Sequence, residues 1–200
     1  MLRVGLTGGL ACGKSFVGEA LAGFGCFLVQ ADVLGHAALA RGGDAYDQVI
    51  AEFGRGILNG DGEIDRRALA AEVFGNPQRL ALLNQIVHPH VIRKEEELLA
   101  GFAAREPHGI AVVEAAILIE TGGHKRFNKI VLVTCDKDQQ IERALRRGAG
   151  REDVLARLDR QMPLSEKRKY ADFVIDTSGA KEHTLQQTRA VYEALRRIEP

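Results

Sequence analysis

Residues Gly8 to Ser15 read Gly-Gly-Leu-Ala-Cys-Gly-Lys-Ser, which matches the spacing G-x-x-x-x-G-K-[ST] of a phosphate-binding loop. Each residue type has a physical role. Gly8, Gly9 and Gly13 let the backbone wrap closely around an anion, because side chains there would keep N–H groups from converging on phosphate oxygens. A helix that begins near Gly13 adds unpaired N–H groups and the positive end of its dipole. Lys14 offers a point charge to β- and γ-phosphates, and the Ser15 hydroxyl offers a ligand for Mg²⁺. Such a loop implies bound ATP or GTP without saying what is done with it.

Asp32 is the next residue that could do chemistry. It follows a short apolar run, Cys26 to Val29, and a carboxylate just past the second strand of such a fold lies at the carboxyl edge of the sheet. There it can orient an attacking hydroxyl or accept its proton. It can equally cap the helical pattern that follows, and the two roles are compatible. Arg143, Arg146 and Arg147 share one helical face, and Arg151, Arg157 and Arg160 follow. A helical pair carrying guanidiniums can close over a nucleotide and neutralise charge during phosphoryl transfer; a solvated face would use the same residues. His88, before Pro89, fits either a packed hydrogen-bonding residue or a group beside a substrate. Cys12, inside the loop, fits a redox-sensitive thiol or a small space-filling residue.

Guanine-selective switches need N-K-x-D, and Asn128-Lys129-Ile130-Val131 lacks the aspartate. The D-x-x-G at Asp176 to Gly179 comes after the last expected strand, too late to sense a γ-phosphate. A small-molecule kinase remains.

The elements that must position these residues follow from periodicity. Leu2 to Leu6 is β-compatible, Lys14 to Phe24 is helical with Val17, Ala20, Leu21 and Phe24 on one face, and Cys26 to Val29 is a buried strand. Helices are expected over 33–40, around Tyr46 to Phe53, and after Asp65 as cap. A long helix starts with Asn76 as cap and Pro77 at its first position and runs towards Arg105, with a kink or interruption at Pro89. Strands are expected at Gly109 to Val113, ending in Glu114, at Lys129 to Thr134 and at Asp172 to Asp176. Helices over Lys137 to about Arg147, Arg151 to about Gln161, and Lys181 to Ile198 complete the pattern. Short apolar strands alternating with helices predict an α/β fold, a five-stranded parallel sheet flanked by helices. One domain over 1–200 is expected, with core segments 1–31, 108–136 and 171–200. A helical insertion over about 32–107 would cover a substrate, and about 137–170 would form an arginine-bearing lid.

Composition excludes other classes. Lys plus Arg (27) balances Asp plus Glu (27), so no global field points to nucleic acid or an anionic membrane. No apolar run reaches a membrane span, and no signal-peptide h-region develops, so a cytoplasmic protein is expected. Cys12, Cys26 and Cys135 are too widely spaced for a CxxC metal pattern or a disulfide framework.

Over essentially its whole length the chain resembles the dephospho-coenzyme A kinases. The resemblance rests on GLTGGLACGKS, Gln30-Ala31-Asp32, Asp65-Arg66-Arg67-Ala68-Leu69 with Val73-Phe74, and Val87-His88-Pro89. It continues through Ile117 to Glu120, Cys135-Asp136 to Gln139/Gln140 with Arg143, Gln161, and Ala171 to Ile175. It implies a P-loop kinase core, a helical substrate-binding region and a lid. It also implies transfer of the γ-phosphoryl of ATP, with Mg²⁺, to the ribose 3′-hydroxyl of dephospho-coenzyme A. Carried over by position, Gly8, Gly9, Ala11, Cys12, Gly13, Lys14, Ser15 and Phe16 cradle ATP, and Asp32 acts on the 3′-hydroxyl. Arg67 and His88-Pro89 border the acceptor, while Arg143 and Arg147 reach the phosphates. The chain departs from the family pattern at Gln30 (an aspartate is common), Phe16 (threonine), Glu114-Ala115-Ala116 (Asp-x-Pro) and Thr177 (asparagine). A nucleoside or nucleoside-monophosphate kinase shares the loop and lid. A non-catalytic ATP-dependent binding module would need neither Asp32 nor the lid arginines.

Overall fold

A computed structural model of the chain describes residues 1–198; residues 199 and 200, the end of the expected core segment 171–200, lie outside them. In chain order the elements are β1 (Leu2–Gly8), α1 (Lys14–Gly23), β2 (Phe27–Gln30), α2 (Ala31–Leu39), α3 (Tyr46–Phe53), α4 (Arg66–Val73) and α5 (Pro77–Arg105). Then follow β3 (Ile110–Glu114), β4 (Lys129–Thr134), α6 (Lys137–Arg146), α7 (Arg151–Arg160), the single turn α8 (Leu164–Lys167), β5 (Phe173–Asp176) and α9 (Lys181–Arg196). Two compact units result: Met1–Gln30 with the chain from Gly101 onward, and Ala31–Ala100.

The first unit is a parallel five-stranded sheet in the order β2-β3-β1-β4-β5. The central strand β1 has two neighbours, so its residues read as an apolar run rather than an alternation. On one face Leu2, Val4 and Leu6 join Val112, Val131, Val133 and Ile175, and pack with Val17 and Leu21 of α1 and Val191 and Leu195 of α9. On the other face Gly5 leaves room for neighbours: a Cβ there would lie 2.5 Å from Leu118 and 2.8 Å from Ile130. Phe27 stacks on Phe102 at 4.7 Å between ring centroids. Asp172 precedes β5 rather than belonging to it; its carboxylate accepts the Ile130 N–H at 2.8 Å and pairs with Lys129 at 2.9 Å, fixing the start of the β4–β5 pairing.

The second unit is helical, with a core of Ala45, Val49, Phe53, Ile57, Leu69 and Ile86. Asp65 caps α4 through the Arg67 and Ala68 N–H groups, and Asn76 accepts the Arg79 N–H at the start of α5. Asp32 lies inside the first turn of α2, which starts at Ala31, so it is not the cap. Of the kink or interruption expected at Pro89, the interruption does not occur: α5 continues as one 29-residue helix with Pro89 inside it. Proline removes a single N–H from the ladder, and many turns on either side hold a helix of this length. Among the described residues no helix is long and apolar enough to cross a membrane.

One buried charge holds the segment after β3. Lys167 has no exposed surface; its ammonium donates to the Ala116 carbonyl at 3.0 Å and pairs with Glu120 at 2.8 Å. Glu120 also accepts the Met162 N–H at 3.3 Å. Lys167→Ala leaves that carboxylate without its cation, and because Glu120 keeps some solvent contact the expected loss is about 3 kcal/mol, the low end of the range for such pairs. Urea unfolding measures it; a loss under about 1 kcal/mol would show that solvent already carries the carboxylate.

Candidate functional site

The loop between β1 and α1 combines two left-handed residues. Gly13 has φ 79°, and Ala11, the one non-glycine residue with positive φ among those described, has φ 54°. That conformation costs an alanine roughly 1–2 kcal/mol, which the surrounding contacts must offset. Ala11 is buried against Ala144 and Val154 beneath α6 and α7, where Leu10, Ile141, Leu145 and Leu158 also pack. Gly8 and Gly9 meet the requirement for close approach: a Cβ on Gly8 would lie 2.4 Å from the Val133 carbonyl oxygen, and one on Gly9 would lie 2.2 Å from Gln140. Gly13 gives α1 no side-chain cap, so the first-turn N–H groups of the helix remain for an anion.

Side chains from distant segments hold the loop. Gln140 Nε2 donates to the Leu10 carbonyl at 2.9 Å, and Gln161 Oε1 accepts the Leu10 N–H at 2.9 Å. Thr177 Oγ1 lies 2.9 Å from the Cys12 carbonyl and 3.2 Å from that of Thr134. Lys14 Nζ donates to the Gly9 carbonyl at 3.0 Å and lies 3.4 Å from that of Gly8. The sequence reading assigned no role to Gln140 or Gln161. A glutamine beside the apolar Ile141, Ala144 and Leu145 of α6 was the available signal, because a buried amide must find partners.

At the carboxyl ends of β2 and β3 a three-residue chain of hydrogen bonds forms. Ser15 Oγ donates to Glu114 Oε1 at 2.8 Å, and Gln30 Nε2 donates to Glu114 Oε2 at 3.0 Å. Glu114 is buried, and it is the register partner of Gln30. Two departures from the family pattern therefore meet and fit each other. A carboxylate at position 30 would face Glu114 at sharing distance and disfavour ionisation of both, whereas the amide donates to it. Ser15 and Glu114 present only oxygen ligands, the kind a hard divalent cation takes.

Arg143 is turned towards the sheet. Its guanidinium donates to Thr177 Oγ1 at 2.9 Å, to the Thr177 carbonyl at 2.7 Å and to Gln139 at 2.9 Å. The neighbouring arginines have partners of their own. Arg146 pairs with Glu142 and Arg157 with Asp153 as exposed i,i+4 ion pairs, each worth at most a few tenths of a kcal/mol. Arg147, just past α6, is exposed. Phe16 carries the Lys181 ammonium 5.8 Å from its ring centroid. The D-x-x-G tract is a local turn, with Asp176 Oδ1 accepting the N–H and hydroxyl of Ser178.

In the helical unit, Asp32, Arg67 and Pro89 are exposed, and His88 is half-buried. The Cys12 sulfur accepts the Cys135 S–H at 3.5 Å and a Gln140 N–H at 3.0 Å. The Cys135 bond lowers the Cys12 pKa to about 7, against the opposing effect of burial and with help from the Lys14 charge. The same contact, with burial, pushes Cys135 upward.

A family model described as dephospho-CoA kinase matches residues 2–182. The curated dephospho-CoA kinase of Aquifex aeolicus is 38% identical over 197 residues, covering 98% of this chain and 99% of that protein. That of Geobacillus kaustophilus is 40% identical over 194 residues, covering 95% and 94%. A crystal structure from Thermus thermophilus superposes with a TM-score of 0.80 at 34% identity, covering 100% of this chain and 98% of that one. A dephospho-CoA kinase from Campylobacter jejuni, at 24% identity and covering 98% of both chains, shares the fold with a TM-score of 0.65.

His88 makes one property of the helical unit testable. Desolvation lowers its pKa below 6.5. The folded chain then holds that proton less tightly than the unfolded chain, so stability falls as pH drops through 6.5 towards the folded value. His88→Gln should flatten the slope of unfolding free energy against pH between about 7 and 5, as read from urea titrations at each pH. An unchanged slope would assign the acid sensitivity elsewhere.

Proposed function

The chain belongs to the dephospho-CoA kinase family, an ATP-dependent kinase family of coenzyme A synthesis, and from that premise we propose how its residues divide the reaction. The γ-phosphoryl group of ATP passes to the ribose 3′-hydroxyl of dephospho-coenzyme A, giving coenzyme A and ADP. The observation that carries this reading is the loop itself: left-handed at Ala11 and Gly13, flush against Val133, tethered through the Leu10 and Cys12 carbonyls, and followed by a helix whose start has no side-chain cap.

The N–H groups from Ala11 to Phe16 take phosphate oxygens, and Lys14, held on the loop by the Gly8 and Gly9 carbonyls, supplies the cation beside them. Ser15 and Glu114 are the residues that would hold Mg²⁺; when bound it neutralises charge on the β- and γ-phosphate oxygens. Gln30 keeps the Glu114 carboxylate oriented towards Ser15. Arg143 contributes its charge from its anchored position on Thr177, and Arg147 reaches the phosphates from the end of α6. The region 137–170 acts as the lid, and 32–107 takes the acceptor.

Asp32 acts on the acceptor hydroxyl. Support comes from its position two residues past the last residue of β2 and from its exposed carboxylate. Arg67, His88 and Pro89 border the acceptor in the same reading. Little covalent work falls to the protein: positioning and charge stabilisation lower the barrier, and exclusion of water keeps the phosphoryl group from hydrolysis. The cytoplasm is the compartment this reading assigns.

Two measurements test it. Acceptor-dependent ADP formation should appear with dephospho-coenzyme A and not with a panel of nucleosides, and mass spectrometry should locate the new phosphate on the 3′-oxygen. Asp32→Asn should lower turnover by about 10²–10⁴ while leaving the ATP dissociation constant near its original value. Wild-type turnover in that variant would remove Asp32 from the mechanism.

A further inference from the structure

Cys12 and Cys135 are the two thiols that the chain brings together across the base of the loop. They are 123 residues apart, yet their sulfurs are 3.5 Å from each other. Both are buried, and all three cysteines are free thiols. Cys12 sits in the phosphate-binding loop one residue before Gly13, and Cys135 is the first residue past β4. The contact is polar rather than a chance apposition: Cys135 donates its S–H to the Cys12 sulfur, and the Gln140 amide donates to that sulfur from the other side.

We propose that Cys12 and Cys135 form a reversible disulfide that switches off the phosphate-binding loop. A hydroperoxide is the oxidant. The Cys12 thiolate attacks the O–O bond and becomes a sulfenic acid, releasing one water after proton uptake. The Cys135 sulfur then attacks the Cys12 sulfur, the S–S bond forms, and the sulfenic hydroxyl leaves as a second water. Two thiols lose two protons and two electrons, and one hydrogen peroxide becomes two waters. A dithiol reverses the reaction by exchange.

The geometry says what the bond does to the loop. The sulfurs must close from 3.5 Å to about 2.05 Å. The Gln140 amide loses one of its two acceptors, keeping the Leu10 carbonyl, and the Cys12 carbonyl contact with Thr177 is disturbed. Because Gly8 is held in the sheet as the register partner of Val133, the displacement falls on the segment Ala11 to Gly13, where the phosphate amides begin. A shift of about 1 Å in such a segment costs on the order of 10²-fold in rate. Cys12 has no exposed surface, so opening of the loop limits oxidation, and ATP bound there slows it. Cys26 is the internal control. It lies in the core beneath α1 and α9, where burial pushes its pKa up to about 12, and it stays reduced.

The consequence for turnover rests on the kinase reading; the cross-link does not. The full chain is treated with hydrogen peroxide, with and without saturating ATP, and then alkylated and digested without reduction. The expected result is loss of two of the three thiols, a linked peptide pair containing Cys12 and Cys135, and an alkylated Cys26. Turnover should fall about 100-fold and return with dithiothreitol, and ATP should slow both changes. Cys135→Ser should keep basal turnover when reduced and yield no linked peptide. Three titratable thiols after oxidation, a link through Cys26, or a Cys12–Cys135 link with unchanged turnover would each overturn the proposal. If the reduced chain has no ATP-dependent turnover, the kinase reading fails, and the linked peptide still decides whether the disulfide site exists.

Discussion

A loop that offers its N–H groups to a phosphate cannot spend those groups on holding its own shape. The structure meets that constraint through the opposite side of the peptide units. The Leu10 carbonyl goes to Gln140, the Cys12 carbonyl to Thr177, and the Gly8 and Gly9 carbonyls to Lys14. Two N–H groups are spent as well: that of Leu10 goes to Gln161, and that of Cys12 closes a turn on the Gly9 carbonyl at 3.4 Å. Apart from Lys14 of α1, these tethers come from α6, from the residue after α7 and from the residue after β5. Much of the carboxyl half of the chain is therefore organised around keeping a few residues in a conformation they would not adopt alone. The left-handed Ala11 shows the cost, and its burial against Ala144 and Val154 shows what offsets it.

The same economy appears at the edge of the sheet. Glu114 is a buried carboxylate at the end of β3, an expensive group unless both oxygens are satisfied. Ser15 and Gln30 supply one donor each. The loop hydroxyl and the strand carboxylate are thus held within hydrogen-bond distance of each other by protein groups alone. Lys167 does comparable work on the segment that follows, where a buried ammonium ties the Ala116 carbonyl to Glu120. Polar groups inside this unit act as connectors between loops, while the apolar stripes of α1 and α9 cover the sheet.

Much of this was legible from local patterns. The spacing from Gly8 to Ser15, the apolar strands and the caps Asp65 and Asn76 depend on neighbours a few residues away. Helical spacing could not assign partners to the arginines: Arg146 and Arg157 each meet a carboxylate at i,i+4, whereas Arg143 turns to Thr177. No interruption occurs at Pro89 for a related reason, since a local rule was outweighed by the many turns of a long helix. Gln30 and Glu114 each looked like a departure from a pattern. Only their pairing across adjacent parallel strands shows that one accommodates the other.

What the sequence determined by itself is the chemistry of the donor side and the order of elements. Glycine spacing, a lysine, a serine and a preceding apolar strand can serve few purposes other than holding a phosphate, and strand-helix alternation leaves few folds open. What the tertiary structure decided is every relation between residues far apart in the chain. Which carbonyl each glutamine holds, which carboxylate Ser15 meets, and that two of three scattered cysteines touch are consequences of parallel strand order β2-β3-β1-β4-β5. That order places the ends of β1, β3 and β4 side by side at one edge. Periodicity reports which face of an element is apolar, and it carries no information about which strand will lie beside which.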